Sequence, residues 1–560
     1  PFCMIKSANY QYFWQILGGT MSNPSPVWAK SIEKAGGTPL RLHEHINHAL
    51  EIFNKISRRI KSPLNEIIRL AIFCHDLGKV LPAFQIRTLK NRNYSPNSPL
   101  INIPHSLFSL LLINKNKLRK ELSQFDIDTD TYLEFILSAI AYHHWREDFF
   151  ELIVFPHTGI LDFLDELDIP SKTKLRKNLK EEIKQLNNLN KSWKELIDFD
   201  EEMAQGLRNG VPFSKYARPP YQLYFLPMRA GIDEQKLKDW ILIAGFLQRA
   251  DHFASFCEEC GENTIEPEIQ PVDYNTVKER VKEKIKANED GSIWQLSELT
   301  NHQDKNIILI TPTGYGKTEF AFLWGSGEKF FYTLPLRAAV NQIYERAKTI
   351  FGSDKLGLLH SDADVFLLGD GGEGQANFKI YDLARQLAFP VIISTGDQFF
   401  PYALRPPGYE KIYATFSYSR LVIDEVQAYD PRAAAIVVKF IEDIVRMGGK
   451  FLLTTATLPE FVRKEIISTI GQNNFEEINL YEKDEKEKSK FENIKKHKIK
   501  VELIENNASE GKTDFNLPDD KLKEVLKKAK EGKRVLVIAN TVKQAQEIFQ
   551  KIKKLVEKDA

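Results

Sequence analysis

Cysteine is scarce in this chain, with 4 among 560 residues: Cys3, Cys74, Cys257 and Cys260. That count excludes a disulfide-stapled scaffold and fits a reducing cytoplasm. Long apolar runs are missing as well; none approaches the ~18 residues of a membrane-spanning helix. Neither sign of charge is in excess, with 77 Lys and Arg against 76 Asp and Glu and a formal net charge of +1. A chain so balanced has no global attraction to nucleic acid, and any such site must be a local patch or channel. No tandem repeat or low-complexity tract is visible. Residues 1–20 lack the basic flank and apolar core of a signal peptide. They begin with Pro1, and a plausible start stands at Met21, so they read as a non-native or disordered extension.

What is there is a globular composition, 42% hydrophobic and 27% charged, enough for about three or four domains. From about Trp28 to Glu259 the pattern is mostly helical. Ala49, Ile52, Phe53, Ile56 and Ile60 recur at helical spacing, and Asn65–Cys74, Ser106–Ile113 and Tyr132–Tyr142 read alike. Lys172–Ile197 reads as a charged amphipathic helix with a solvated face, and Asp239–Phe256 as a more apolar one. Near Glu262–Pro271 the composition turns acidic and proline-containing, which reads as the start of a linker over 263–290. From Asn306 the texture changes: NIILI, KFFYTLP, FPVIIST, RLVIDE and KFLLTTA alternate with helical stretches. That alternation predicts a parallel sheet with crossover helices. RVLVIANTVKQAQEIFQKI then opens a further strand-helix unit.

The helical part carries an ordered set of metal-ligand side chains. His75 and Asp76 are adjacent, and two neighbours on a helix project about 100° apart, so both reach one cluster. His45, His105, the pair His143-His144 and Asp251 fall on or beside other expected helices. A hydrolytic di-metal site needs several neutral imidazoles and a carboxylate able to bridge the ions. Taken singly, a histidine such as His43, His48, His157, His252, His302, His360 or His497 is a surface or satisfied core residue. The ordered set is the signal. Cys257 and Cys260 form an isolated C-x-x-C, and a zinc site needs a second pair, so they read as packing thiols.

FCHDLGKVLPAFQ (Phe73–Gln85) resembles the core of the HD phosphohydrolases. Phe84-Gln85 together with WAKS (Trp28–Ser31), PHSLFS and AYHHW resembles one branch, the HD nuclease domain of the CRISPR-associated nuclease-helicases of type I systems. The resemblance implies a first metal on His45, His75, Asp76 and Asp251. It implies a second on His105, His143 and His144, with Asp76 shared, and a phosphate contact by Lys79. His43 and His48 compete with His45 for the first ligand, and Asp239 lies near Asp251 in sequence; the family-like spacing of EHINHAL favours His45. Imidazole-rich ligation favours Mn, Fe, Co or Ni over Mg.

The second half carries TPTGYGKT (Thr311–Thr318) between a buried-type strand and a helix. Backbone amides of such a loop wrap phosphates at a helix N-terminus. Thr313, Gly314 and Gly316 would line it, Lys317 would reach the β- and γ-phosphates, and Thr318 would hold Mg²⁺. LVIDEVQ ends a strand with Asp424, for Mg²⁺, and Glu425, for the attacking water. The T-P-T-G-x-G-K-T form resembles superfamily 2 helicases. TLPLRAAVNQ, LLHSDA, STGDQ and TTATLP resemble their further motifs, which implies DNA contacts by Arg337, His360 and Thr395, and coupling of ATP state to DNA grip by Thr455 and Thr457.

The expected fold is therefore multidomain. An all-α HD nuclease domain (21–262) and linker (263–290) precede an α/β RecA-like helicase lobe with a parallel sheet (291–490), and residues 491–560 start a second RecA-like lobe. No Q-x-x-G-R-x-x-R type motif follows the acidic box, so the rest of that lobe is expected in cis or from a separate subunit, with little unwinding by this chain alone. The expected function is metal-dependent cleavage of single-stranded DNA coupled to an ATP-driven motor. By resemblance, an RNA-guided surveillance complex recruits it in antiviral defence. An HD phosphohydrolase acting on nucleotides and a non-catalytic recruitment factor are the alternatives.

Overall fold

The computed structural model describes residues 24–58, 60–95, 100–101, 103–144, 158–186, 191–218, 234–261, 265–285, 292–369, 374–482, 498–503 and 517–559. The expected extension over 1–20 lies outside them. The chain divides into two compact units, Pro1–Phe491 and Glu492–Ala560.

The first unit joins a helical half to a sheet. A short hairpin, β1 (Trp28–Lys30) with β2 (Leu40–Arg41), leads into the helix Leu42–Ile56. That helix buries Leu42, His45, Ile46, Ala49, Phe53 and Ile56, the stripe its 3.6-residue spacing places on one face. Glu44 accepts the Arg41 N–H at 2.7 Å and so satisfies an orphan donor at its start. Leu64–Cys74 packs beside it, and Thr129–Tyr142 packs on Leu64–Cys74. The axis is the 27-residue helix Glu234–Cys260, longer at both ends than its apolar centre suggests. It packs on those three helices and, from its opposite side, on Tyr409–Phe416 of the sheet half. Contact on both sides is why Ile241, Ile243, Phe246, Leu247, Ala250 and Ala254 are all buried. Gly245 permits the close approach: a Cβ there would lie 2.1 Å from the Glu410 carbonyl oxygen and 2.6 Å from Ala414 Cβ.

The sheet has seven parallel strands in the order β5-β6-β4-β7-β8-β3-β9. They are β3 Ile307–Ile310, β4 Phe330–Leu334, β5 Leu356–Leu359, β6 Val391–Thr395, β7 Arg420–Asp424, β8 Lys450–Thr455 and β9 Glu476–Asn479. The inner strands are buried along their length, as apolar runs covered by helices on both faces should be. The register sets Asp424 beside Thr454 and Ile310 beside Thr455, bringing the ends of β7, β8 and β3 together at one carboxyl edge.

Three expectations change. The charged helix is Ile169–Lys184 followed by a 3-10 segment Lys191–Leu196, and its charged face is not all solvated. Glu182 is buried and takes Arg41, His43 and the Val27 N–H as partners. The stretch read as a linker contains the helix Tyr274–Ile285, whose Val277 and Val281 are buried under the sheet half. Glu268 just before it is ion-paired to Arg249 and Lys329.

The second unit contributes the helices Asp519–Lys530 and Val542–Asp559. Between them the expected strand is not formed. Leu536 and Ile538 are 82% and 84% exposed, and no ladder partner stands beside them among the described residues. Strand propensity without a neighbouring edge leaves the backbone unpaired. Among the described residues no helix is long and apolar enough to cross a membrane.

Candidate metal centre and nucleotide site

His75 and Asp76 follow directly on the helix Leu64–Cys74 and are fully buried. Two residues after Asp76 stands Gly78, where His105 crosses over the backbone: a Cβ would meet the His105 carbonyl oxygen at 1.9 Å. Ser109 receives the Gly78 N–H at 2.9 Å and donates to the His75 carbonyl at 2.8 Å. These contacts dock His105–Ser109 onto the His-Asp turn.

The Asp76 carboxylate stands between two donor sets. Its Oδ2 lies 3.3 Å from His45 Nε2 and 3.2 Å from His75 Nε2. Its Oδ1 lies 3.2 Å from His105 Nε2 and 3.6 Å from His143 Nε2. Asp251, from the long helix, approaches His45 Nε2 at 3.2 Å, His75 Nε2 at 3.7 Å and, through Oδ2, His144 Nε2 at 3.7 Å. In each of the sets His45, His75, Asp76, Asp251 and His105, His143, His144, the ligand atoms lie within 4.8 Å of one another. Ligand bonds of about 2.0–2.2 Å to one ion fit that spread.

The metal fit also shows in what is left unpaired. His75 Nε2, His105 Nε2, His143 Nε2, Asp76 Oδ1 and Asp251 Oδ2 are buried without a hydrogen bond. Orphaned polar atoms are costly, yet these converge, while the opposite nitrogens of His75 and His143 are satisfied. His75 Nδ1 meets the Ile72 carbonyl at 2.6 Å and His143 Nδ1 that of Ile140 at 2.7 Å. Each Nδ1 thereby donates to a helix carbonyl, and each Nε2 is turned inward toward the carboxylates. The donor set fits two divalent ions sharing Asp76.

Electrostatics follow the same division. Burial alone would raise the Asp76 carboxyl, but His75, Lys79 and the other imidazoles hold it well below the carboxylate range. Asp251 is likewise held well below it, against burial, by His45, His75 and His144. Burial pushes His105 down to about 4 despite Asp76, and pushes His144 well below its ordinary value with His143 assisting. Both are neutral imidazoles at pH 7, as metal ligation requires. His75 is depressed by burial but lifted by Asp76 and Asp251 to about 9. Lys79 Nζ lies 2.6 Å from Asp76 Oδ2 and faces a cleft of about 870 Å³. Gln386, Pro407 and Gly408 of the sheet half line the same cleft.

Of the three crowded histidines, only His45 sends Nε2 into the cluster; His43 pairs with Glu182 and His48 with Glu258. Asp239 is occupied by Tyr132 and Gln235. Two neighbours were missed from sequence. His252 stacks on His144 at 6.0 Å, its pKa lowered to about 4 by burial and then by Lys411. Glu258 binds His45 Nδ1 at 2.9 Å. Only the adjacency of His252 to Asp251 could have signalled the first; nothing local signals the second.

At the sheet, Thr311–Gly316 form the loop between β3 and the helix Lys317–Gly325. Gly314 and Gly316 have φ of +78° and +89°. Lys317 Nζ meets Glu425 Oε1 at 2.5 Å, and Arg346 donates to Thr318 Oγ1 at 3.2 Å. Asp424 accepts from Tyr332 and Thr454, each at 2.6 Å; burial raises its pKa. Thr455 donates to Gln427 at 2.5 Å, and Gln427 donates to Glu425, so the acidic box and TTATLP share one network. Trp294, also missed, donates to the Tyr315 carbonyl at 3.0 Å and stacks on Phe320. Arg337 is exposed and tied to Ser361 and Asp362. His360 and Thr395 are buried instead. His360 accepts the Asp362 N–H and contacts Asn341 Oδ1 at 2.8 Å, so both its nitrogens are spent on shaping the loop, and it presents no free donor to a strand of DNA.

Comparison with known proteins places two families on these two halves. Residues 28–255 match the family described as Cas3, HD domain, and residues 295–465 match DEAD/DEAH box helicase. The CRISPR-associated nuclease/helicase Cas3 of Methanothermobacter thermautotrophicus is 27% identical over 88% of this chain and 59% of its own. The protein of the same name from Streptococcus thermophilus is 24% identical over 43% of this chain and 30% of its own. The crystal structure of T. fusca Cas3 aligns at 17% identity with a TM-score of 0.49, covering 79% of this chain and 51% of that one. The chain thus matches between three-tenths and three-fifths of the length of these relatives.

Proposed function

We propose, for a chain that belongs to the family of CRISPR-associated Cas3 nuclease-helicases, that the histidine-aspartate centre binds two divalent ions and cleaves single-stranded DNA. The observation that carries this is the convergence of five buried ligand atoms without a hydrogen bond, His75, His105 and His143 Nε2, Asp76 Oδ1 and Asp251 Oδ2. A structural cluster would have paired them. His45, His75, Asp76 and Asp251 would hold one ion, and His105, His143 and His144, with Asp76 shared, the other. Mn, Fe, Co and Ni suit so many imidazoles better than Mg. Such ions, when bound, supply Lewis acidity toward a phosphodiester.

The chain's own residues do the rest. Lys79 is kept protonated, its pKa depressed by burial but raised beyond that by Asp76 and Asp251. Its Nζ is placed to contact a phosphate oxygen entering the cleft. Lys34 adds charge at the rim, and Phe84 and Phe256 offer ring surface. Cations interleaved with aromatics suit an unpaired strand, whose bases are free to stack. At the sheet, Lys317, Thr318, Asp424 and Glu425 would grip ATP and its Mg²⁺, with Glu425 orienting water. Arg337 would contact the DNA backbone, with His360 and Thr395 supporting the loops around it. Sequence choice would belong to an RNA-guided surveillance complex that reads the target by base pairing, with this chain acting as the nuclease-motor arm of antiviral defence.

The test is cleavage of single-stranded DNA by metal-stripped protein reloaded with Mn, Fe, Co, Ni or Mg, against a panel of nucleotides. Cleavage with the transition metals, lost in Asp76→Ala while helical circular dichroism is retained, is expected. An Asp76→Ala protein that nicks DNA at the normal rate, or hydrolysis confined to nucleotides, would overturn the reading.

A further inference from the structure

WAKS and Glu258 have no part in the ligand set, yet they meet behind it. Glu258 lies seven residues after Asp251 on the helix Glu234–Cys260, two turns along the same face. Its carboxylate is buried and receives His45 Nδ1 at 2.9 Å to Oε1 and 3.0 Å to Oε2. His48, one turn from His45, reaches the same Oε1 through its own Nδ1 at 3.1 Å. From the other side Lys30 of WAKS places Nζ 3.3 Å from Glu258 Oε2 and donates to the Ser255 carbonyl at 2.6 Å. The strand that carries Lys30 is itself pinned. Gln85 accepts the Trp28 N–H at 3.0 Å and donates to the carbonyls of Trp28 and Lys79 at 2.8 and 2.7 Å.

A carboxylate accepts and cannot donate once ionised, so an imidazole nitrogen facing it must carry the proton. His45 faces carboxylates on both sides, Glu258 through Nδ1 and Asp251 through Nε2 at 3.2 Å; with a cation on Nε2, the one remaining proton stands on Nδ1, against Glu258. His75 and His143 are oriented by carbonyls of their own helices; His45 is oriented by a charge from another. A charged acceptor fixes the ring and makes the opposite nitrogen a better ligand.

We infer that Glu258 is a positioning residue that makes His45 a metal ligand, with Lys30 holding Glu258 in place. This rests on the two-metal reading above. It also gives a reason for His45 rather than His48: both bind Glu258, but only His45 turns its far nitrogen on the two aspartates.

The test uses the full chain, stripped of metal and titrated with Co²⁺ or Mn²⁺ against a competing chelator. Wild type should bind two ions. Glu258→Ala should weaken one of them by about 10–100-fold and leave the other unchanged. Glu258→Gln, whose amide oxygen still accepts from Nδ1, should fall between, and His48→Ala should match wild type. Both Glu258 variants binding two ions with wild-type affinity would overturn the inference alone. Loss of both sites together with helical circular dichroism in Glu258→Gln would overturn it too, by making Glu258 a residue of the fold. A wild type that takes up no ion would overturn the nuclease reading itself.

Discussion

Glu268→Gln removes the carboxylate that neutralises two buried cations where the helical half meets the sheet. Glu268 Oε2 lies 2.8 Å from Arg249 Nη2, and Oε1 lies 2.8 Å from Lys329 Nζ. The Tyr418 hydroxyl donates to Oε2 at 3.0 Å. At an effective dielectric of about 20, each pair at this distance is worth roughly 6 kcal/mol of Coulomb attraction. Desolvation of the three charges consumes most of that gross sum. The decisive term is the asymmetry: deleting the carboxylate leaves two buried cations, and breaking a buried pair from one side costs about 3–5 kcal/mol. Arg249 cannot escape by losing its proton. Lys329 can, because burial already lowers it to about 8 even with Glu268 beside it. Hydrogen exchange reads the outcome at Ile269, whose N–H donates to the Ala388 carbonyl across the same seam at 2.9 Å. At one decade per 1.36 kcal/mol, its exchange should accelerate roughly 150- to 5,000-fold. Glu266→Gln is the control. It breaks the 2.9 Å bridge to Lys55, which crosses the same seam in the open, and should cost no more than about 1 kcal/mol. Equal acceleration in the two variants would refute the assignment of a buried clamp.

Three further outcomes are expected. Lys317→Ala should abolish ATP binding measured by calorimetry while leaving metal uptake at the histidine centre intact. Gly245→Val should loosen the packing of Glu234–Cys260 on Tyr409–Phe416, because its Cβ is placed against the Glu410 carbonyl at 2.1 Å; an overpacking loss of about 1–3 kcal/mol should appear as a lower urea midpoint. The charge on Lys329 penalises the fold below pH 8, and the penalty fades as pH climbs from about 8 toward the ordinary 10.5. In that window the unfolded chain binds more protons, so stability rises with pH. The wild-type urea midpoint should therefore gain on that of Lys329→Met between pH 7.5 and 10; parallel curves would contradict the depressed lysine.

Wherever a feature is written in consecutive residues, the chain alone displayed it. The phosphate loop, the acidic box and the runs such as NIILI and RLVIDE need only a strand, a turn and a helix in order, and short-range propensity supplies these. The helical half and the parallel sheet followed from period alone. Other features depend on which surfaces meet. Arg534–Ile538 has a strand's composition, yet a strand also needs a neighbour, and the described residues give it none. His43, His45 and His48 are equivalent in sequence and separate only when Glu182 and Glu258 arrive from other helices. Glu182 and Glu268 look like solvated charges until Arg41 and Arg249 are brought against them. A side chain's type and spacing say what it can bind. Which partner it binds is set by groups on other elements, from 19 residues away for Arg249 and Glu268 to 213 for His45 and Glu258, and no local preference encodes those meetings.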